Sequence, residues 1–340
     1  MRNKLARLMR KVSALEEEMT QGLQGQDLSH DDLSDWDLSN TNLSETNLDS
    51  ANLERANLSE ANLVKANFSN ATLNNAHLFN AYATSANFSK AQLFNVEASH
   101  SQLRKVKLDG SILSGGIFRH SDLTQVQAYE AKGLNVAFDY ADFKNTRFSE
   151  TKLVDSSFKG ASFFDAHFLH CDLRKAKFHG ANFNKAFFNE CDLSKSVWKV
   201  QAPASSVILE DATLIEADLT YCSFKTCDFE RANLRKANLY YCDLEGSTFT
   251  RADLSEAKLF LANLFEADLS EAYLYKADLR EAILEEANLT EANLKLADLR
   301  GANLTEANVT DARFKGAIVD MHTTMPRNMT QKQRDELIWK

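Results

Sequence analysis

The chain has 340 residues, 44% of them hydrophobic, with 11 glycines, 2 prolines and a formal net charge of −9. No stretch approaches the roughly 18 consecutive apolar residues of a membrane-spanning helix, and no apolar signal-peptide core follows the start, so we expect a cytoplasmic protein without membrane contacts. The acidic balance disfavours direct binding to nucleic acid and makes another protein the expected partner.

Residues 1–22 predict a short amphipathic helix. Its apolar residues recur every three or four positions: Leu5, Leu8, Val12, Leu15 and Met19. One interpretation is a helix that caps the structure after it, and another is a dimerisation or docking helix. Binding to a membrane surface is a third interpretation, although acidic residues follow the basic ones too closely to favour it.

From residue 23 to residue 198 the sequence repeats every five residues. The segments ANLER (51–55) and ANLSE (56–60) are two consecutive repeats. We call the Leu or Phe in third place the central residue, and it recurs from Leu28 to Trp198 in 35 repeats. A repeat maintained over this length determines the architecture.

A period of five fits neither a helix nor a flat strand. On a helix the leucines would spiral around the axis, and on a flat strand they would alternate between the two faces. Within one repeat, however, the Ala and the central residue are two positions apart and point the same way from an extended segment. The chain must therefore turn a corner once per repeat, which the abundant Asn, Asp, Ser and Thr favour.

Like central residues recur at a spacing of 20, which implies four repeats per coil. Three phenylalanines share one column (Phe143, Phe163 and Phe183), and leucines share another. Like side chains then stack on like between coils that are about 4.8 Å apart. The predicted aromatic core consists of Phe143, Phe148, Phe158, Phe163, Phe168, Phe178, Phe183, Phe188 and Trp198.

Two kinds of irregularity interrupt the repeats. Some central positions hold undersized residues, namely Ala83, Ala98, Ala128 and Gly133. Cavities, shifted side chains or small loops are expected there. In 199–208, around Pro203, the phase slips by one residue, which predicts a bulge or a small loop.

The second run of repeats spans 209–320, with 23 central residues from Leu209 to Val319. The two runs contain 58 repeats, or about 14 coils of four. These A(D/N)LXX repeats resemble the pentapeptide-repeat family over about residues 23–320. The resemblance implies a right-handed quadrilateral β-helix, so the predicted fold is an all-β solenoid with short terminal helices.

Residues 321–340 predict a C-terminal helix. Thr330 is its expected N-cap, with Gln333 in the capping-box position. Three large apolar residues at its end need burial: Leu337, Ile338 and Trp339. They either cover the last coil or pair with a second copy of the chain. Family members that inhibit gyrase dimerise through a C-terminal helix, so the resemblance makes these three residues candidate dimer contacts.

No catalytic, cofactor or metal site is predicted. The sequence contains no phosphate-binding loop, dinucleotide-binding fingerprint or nucleophile elbow. A filled solenoid also lacks the concave site in which catalytic groups converge. We therefore expect a non-catalytic interaction protein or scaffold, without enzyme activity, that binds a protein partner through its outer faces and ends.

The resemblance also implies an alternative function, a DNA mimic that binds a type II topoisomerase such as gyrase. Residues 209–320 carry a net charge of −10, whereas the basic segment 71–208 counts against mimicry by the whole chain. The candidate partner surface comprises Glu266, Asp268, Glu271, Glu281, Glu285 and Glu286. We expect charges of both signs to mix on every face, which would disfavour mimicry. A secreted bacterial effector is the second alternative.

Overall fold

The computed structural model describes residues 22–199, 204 and 206–340. The predicted N-terminal helix therefore lies outside the described residues, apart from Gly22, and so does Pro203. The chain divides into an N-terminal unit, Met1–Ala137, and a C-terminal unit, Phe138–Lys340. Each unit is described by itself.

Both units are parallel β-solenoids. In the N-terminal unit, single bridges join residues 20 apart, from the pair Asp27 and Asn47 to the pair Ile117 and Ala137. The same parallel spacing of 20 recurs through the C-terminal unit. Four pentapeptides thus complete one coil. The predicted all-β, four-sided solenoid is confirmed.

Each repeat turns its small and central residues inwards. In the repeat 51–55, Ala51 and Leu53 are at most 1% exposed, while the other side chains contact solvent. The same alternation continues along both runs. The interior is therefore a stack of alanines and larger apolar side chains, and it leaves only outer surfaces for contacts with other molecules.

A β-turn forms the corner after each central residue. The N–H of Ala56 donates to the carbonyl oxygen of Leu53 at 3.0 Å, and the intervening Arg55 has a φ of 57°. A positive φ at the third residue is typical of a type II turn, and it places a polar side chain at nearly every corner. The preceding Asn52 supports this turn, because its Oδ1 accepts from the N–H of Glu54 at 3.1 Å.

The described strands are short. The N-terminal unit contains β1 (Gln127–Tyr129) and β2 (Lys132–Leu134). The C-terminal unit contains the remaining strands and one helix: β3 (Arg147–Ser149), β4 (Lys152–Val154), β5 (His167–Leu169), β6 (Phe187–Asn189), β7 (Ile318–Val319), α1 (Gln331–Asp335) and β8 (Ile338–Trp339). Strand β5 lies between β3 and β6, parallel to both. Within the described part of the chain, no helix has the length and apolarity to cross a membrane.

Aromatic rings fill the first half of the C-terminal unit. All nine residues of the predicted aromatic core are at most 1% exposed. The ring of Phe163 stacks on those of Phe143 and Phe183, with centroids 5.1 and 5.0 Å away. Stacking continues in the next column, where Phe168 lies between Phe148 and Phe188. Equivalent side chains of successive coils therefore contact each other directly.

The phase slip inserts one residue into a coil. Bridges across it join residues 21 apart, such as Phe187 and Ile208, whereas the neighbouring bridges on either side join residues 20 apart; a spacing of 21 recurs once near the end, between Asn303 and Thr324. The interior continues past the insertion, because the ring of Trp198 contacts that of Phe224 edge-on at 5.6 Å. Most of the predicted bulge lies outside the described residues, so its local form stays a prediction.

The undersized central residues do not interrupt the N-terminal unit. Ala128 and Gly133 are buried in β1 and β2, which continue the parallel pairing of the preceding coil. Ala98, between Leu78 and Phe118 in its column, borders an apolar cavity of about 10 Å³. A cavity of this size and polarity does not hold an ordered water molecule.

We expect Ala98→Val to stabilise the chain by about 0.5–1 kcal/mol, because the added methyl groups enter this cavity and replace missing contacts. The matched control is Ala83→Val, at a buried central alanine that does not line the cavity. There the larger side chain should destabilise by roughly 1–3 kcal/mol through overpacking. Urea unfolding of the three proteins measures both values, and equal effects of the two substitutions would contradict the assignment of the cavity.

The end of the chain differs from its prediction. Helix α1 covers only Gln331–Asp335, and its predicted capping box is present: Thr330 Oγ1 accepts from the N–H of Gln333, and Gln333 Oε1 accepts from that of Thr330. The prediction that the helix continues through Leu337, Ile338 and Trp339 is wrong. The last coil leaves strand N–H and C=O groups open, and β8 pairs parallel with β7 to satisfy them.

Candidate partner-binding surface

The second run of repeats presents four sides to solvent. Side 1 contains Leu209 and every twentieth residue after it, and sides 2, 3 and 4 begin in the same way at Leu214, Leu219 and Phe224. On every side, the residue before the central one and the two residues after it point outwards. The second of these two forms the corner with the next side.

Acidic residues gather on two adjacent sides. Side 1 carries eight acidic and two basic residues, and side 4 carries six and one. Side 3 carries five acidic and three basic residues, whereas side 2 carries three and six and is net positive. The expected mixing of both signs is thus pronounced on sides 2 and 3 only. Sides 4 and 1, which share a corner, form one acidic surface.

All six predicted acidic residues lie on sides 4 and 1 or at their outer corners. Glu266 and Glu286 occupy the corner that the two sides share, with Glu285 beside them on side 4 and Asp268 on side 1. The other two are farther apart. Glu271 is at the corner between sides 1 and 2, and Glu281 is at the corner between sides 3 and 4.

Stacking of coils extends these residues into two rows along side 1. The first acidic row comprises Glu266, Glu286 and Glu306, and the second acidic row comprises Glu271, Glu291 and Asp311. All six have φ between 54° and 59°, so equivalent backbone conformations place them at the corners. Glu291, Glu306 and Asp311 were missed by the prediction, although the spacing of 20 residues could have identified them.

The floor between the two rows is polar and uncharged except for Asp268. Its side chains are hydrogen bonded to one another: Asn288 Nδ2 donates to Asp268 Oδ1 at 3.0 Å, and Asn308 Nδ2 donates to Thr290 Oγ1 at 2.9 Å. These amide and hydroxyl groups hold each other in place. The carboxylates of the two rows therefore flank a flat, ordered polar strip.

Within residues 22–199, 204 and 206–340, most of the row carboxylates form no ion pair. Arg251 pairs with Glu271 at 2.9 Å, and this hydrogen-bonded contact lowers the pKa of the Glu271 carboxyl below its usual range. Arg327 approaches Glu306 at 3.6 Å. For the other four row residues, no ion pair forms within the described part of the chain. The surface thus offers repeated negative charge to a partner.

The candidate dimer contacts lie at the C-terminal end of the chain, on the last strand and just before it. Ile338 and Trp339 form β8 and are 44% and 62% exposed, while Leu337 precedes them and is half-buried. Strand β8 pairs with β7 along one edge. Dimerisation through these residues stays a prediction.

The described residues contain no cluster of three or more His, Cys, Asp or Glu side chains arranged to hold a metal ion. The acidic rows do not converge on a common point, because each row runs along a separate corner of the solenoid. Such an arrangement suits electrostatic binding of an extended surface.

Two family models match the chain. One, described as a pentapeptide repeat region, matches residues 121–198 and 217–294. The other, described as pentapeptide repeats (8 copies), matches residues 27–63, 37–75, 61–97, 86–125 and 282–319. Together the matches cover most of both runs of repeats. No curated protein matches the chain.

Several solved pentapeptide structures are similar to the chain. HetL, involved in heterocyst differentiation regulation in the cyanobacterium Nostoc sp., is 30% identical over 65% of this chain and 90% of its own, with a TM-score of 0.23. Rfr23 from the cyanobacterium Cyanothece is 32% identical over 36% of this chain and 90% of its own, with a TM-score of 0.22. A trypsin-treated QnrB1, a plasmid-mediated fluoroquinolone resistance protein, is 16% identical over 66% of this chain and 89% of its own, with a TM-score of 0.32.

Proposed function

The chain belongs to the pentapeptide-repeat family, and we propose that it is a non-catalytic scaffold that binds a protein partner, in the cytoplasm, through the outside of its coils. The observation that carries this proposal is the pair of acidic rows on side 1. Six carboxylates repeat there once per coil, at a spacing of about 4.8 Å. Among the described residues, ion pairs form at Glu271 and Glu306 and at none of the other four row carboxylates.

The partner that fits this surface is a protein with a basic groove or patch. Rows of like charge raise the local concentration of an oppositely charged partner and orient it during the encounter. Because the two rows lie on either side of a polar strip, the partner must also carry its basic groups in two lines. A partner that already binds two parallel rows of phosphates meets this requirement.

A DNA mimic that binds a type II topoisomerase is therefore the second candidate function. The specific observation in its favour is that acidic residues gather on adjacent sides 4 and 1 and form two rows, instead of spreading evenly. Side 2 is net positive, so mimicry would be confined to one surface of the second run of repeats. The surface would compete with DNA for a basic binding groove.

We expect Glu286→Lys combined with Glu291→Lys to abolish binding to purified DNA gyrase. One reversal lies in each acidic row, and both carboxylates lack a basic neighbour among the described residues. Each reversal replaces attraction to a basic groove with repulsion, so affinity should fall by roughly 100-fold or more. Binding by calorimetry and inhibition of supercoiling, with and without a fluoroquinolone, measure the effect.

The matched control is Glu60→Lys combined with Glu130→Lys, which changes the net charge equally at corners of the first run of repeats, where neither carboxylate forms an ion pair among the described residues. Lysine is compatible with such corners, since Lys236 and Lys276 occupy equivalent positions with φ of 60° and 56°. Equal loss in the control would refute a role for the acidic rows. If the unmodified protein leaves gyrase unaffected at micromolar concentration, the topoisomerase candidate fails. Cross-linking from the two rows would then test the general scaffold function.

A further inference from the structure

A cleft of about 500 Å³ lies at the end of side 2, where helix α1 replaces the next strand of the solenoid. Three basic side chains of side 2 line it, Lys295, Arg313 and Lys315, and α1 contributes Lys332. Asp311 and Glu336 also border the cleft. These six side chains carry a formal charge of +2 at neutral pH.

Charges of like sign stack in this cleft, as they also do in the two acidic rows, but here the stacked groups are basic. Several outward residues that are 20 apart pair opposite charges between coils: Lys65 with Glu45, Arg231 with Asp211, and Arg251 with Glu271. Lys295 and Lys315 occupy equivalent positions of adjacent coils but carry the same charge. Stacked like charges repel each other, and none of the four basic residues forms an ion pair within the described residues. An anion between them would remove this repulsion.

The two walls of the cleft are held together by hydrogen bonds. Gln333 is buried, and its Nε2 donates to the carbonyl oxygens of Val309 at 2.8 Å and Ala312 at 3.0 Å. After the helix, the carbonyl oxygen of Glu336 accepts from the N–H of Gly316 at 2.8 Å. The helix and the residues after it are therefore attached to the last coil at two points that follow Lys332. A ligand would meet basic groups whose backbone positions are already fixed.

We propose that this cleft binds a dianionic phosphate monoester. Such a group carries a charge of about −1.5 to −2 at pH 7, which matches the +2 of the cleft, and it accepts charge-assisted hydrogen bonds from Arg and Lys. Arg313 and Lys315 approach from the same repeat of side 2, and Lys332 approaches from the helix. Asp311 and Glu336 disfavour a longer polyanion and can accept hydrogen bonds from hydroxyl or N–H groups of the ligand. The monoester can belong to a small metabolite or to a phosphorylated serine of a protein.

The full chain is titrated by calorimetry at low ionic strength with two probes, inorganic phosphate and a short phosphoserine peptide. We expect saturable binding of one equivalent. The double variant Arg313→Gln, Lys315→Gln should weaken it at least about tenfold, as expected for lost hydrogen bonds to a charged group. Tighter binding of the peptide assigns the ligand to a phosphorylated protein, whereas equal affinities for the two probes assign it to a small phosphate compound.

The matched control is Lys236→Gln with Lys276→Gln, which removes two positive charges from side 2 outside the cleft. Equal weakening by both double variants would indicate diffuse attraction and overturn the site. If neither probe binds saturably at concentrations up to about 10 mM, the Kd is weaker than millimolar, and this result would also overturn the site.

Folding of the cleft variant is checked without phosphate. Its Tm should equal or exceed that of the unmodified chain, because the stacked lysine repulsion is gone. The substituted residues Arg313 and Lys315 lie outside the acidic rows, and Asp311, which belongs to the second acidic row and borders the cleft, is unchanged in both double variants.

Discussion

Replacing Phe163 by alanine should destabilise the C-terminal unit by about 3–5 kcal/mol. The Phe163 side chain is fully buried, and its ring stacks on Phe143 and Phe183 at centroid distances of 5.1 and 5.0 Å. It also contacts Phe168 edge-on at 5.7 Å. Truncation therefore removes apolar contacts to three coils and leaves a cavity that the surrounding rings cannot fill without leaving their stacks.

Guanidinium unfolding followed by circular dichroism measures this loss. The control is Phe164→Ala, the same substitution at the next residue, whose side chain points outwards and is 38% exposed. The ammonium groups of Lys144 and Lys185 lie 5.7 and 5.8 Å from the centroid of the Phe164 ring. Its truncation should cost less than about 1 kcal/mol. A change below 1 kcal/mol at Phe163, or a larger one at Phe164, would mean that the inward and outward positions are wrongly assigned.

Gln333→Ala should produce the second large effect, a destabilisation of about 2–4 kcal/mol. The amide of Gln333 links helix α1 to two carbonyl oxygens of the last coil, those of Val309 and Ala312. Its Oε1 also completes the capping box by accepting from the N–H of Thr330 at 2.9 Å. Alanine leaves both buried carbonyl groups without this donor and removes the side-chain half of the capping box, the bond from the N–H of Thr330.

Amide hydrogen exchange is the sharpest measurement for this variant. Protection should fall first in the last coil, around β7 and β8, because loss of the helix exposes the end of the solenoid. Gln331→Ala is the control: Gln331 is exposed, and its Nε2 donates only to Asp335, at 2.8 Å. That change should stay within about 0.5 kcal/mol. Equal exchange rates in the two variants would argue against a structural role for the buried amide.

The sequence was sufficient to predict the coil, because one repeat contains all the information that its geometry needs. Small and central residues two positions apart specify an inward face, and recurrence of phenylalanine at intervals of 20 specifies four sides. The sequence alone therefore assigns Phe143, Phe163 and Phe183 to one stack, and their rings do stack. Such stacking is a local consequence of identical positions in adjacent coils.

The end of the chain was predicted less well, because the decisive interaction there is not local. Residues near 331–339 favour a helix by their own composition, and a capping box does start one at Thr330. The open edge of β7 can form backbone hydrogen bonds with any segment that reaches it, and Ile338 pairs with Ile318 there. Tertiary pairing thus overrides helical preference after Asp335.

The candidate surface was predicted only in part, because it too depends on residues that are distant in the sequence. Clustering of acidic residues in the sequence identified Glu266, Glu271 and Glu286, but it did not show that they extend to Glu306 and Asp311. The cleft at the end of side 2 was not predicted, because it depends on where α1 attaches to Ala312 and Gly316.

The fixed coil length has a consequence for how such a protein changes in evolution. Loss or duplication of 20 residues within the second run would shift every downstream side chain by one coil without rotating it, so the acidic rows would remain on side 1. Loss of a single pentapeptide would keep the interior equally well filled, yet it would turn everything downstream by a quarter of a revolution. Duplication of four repeats, or of a multiple of four, thus conserves a binding surface. Duplication of any other number of repeats disrupts the surface while the core stays filled.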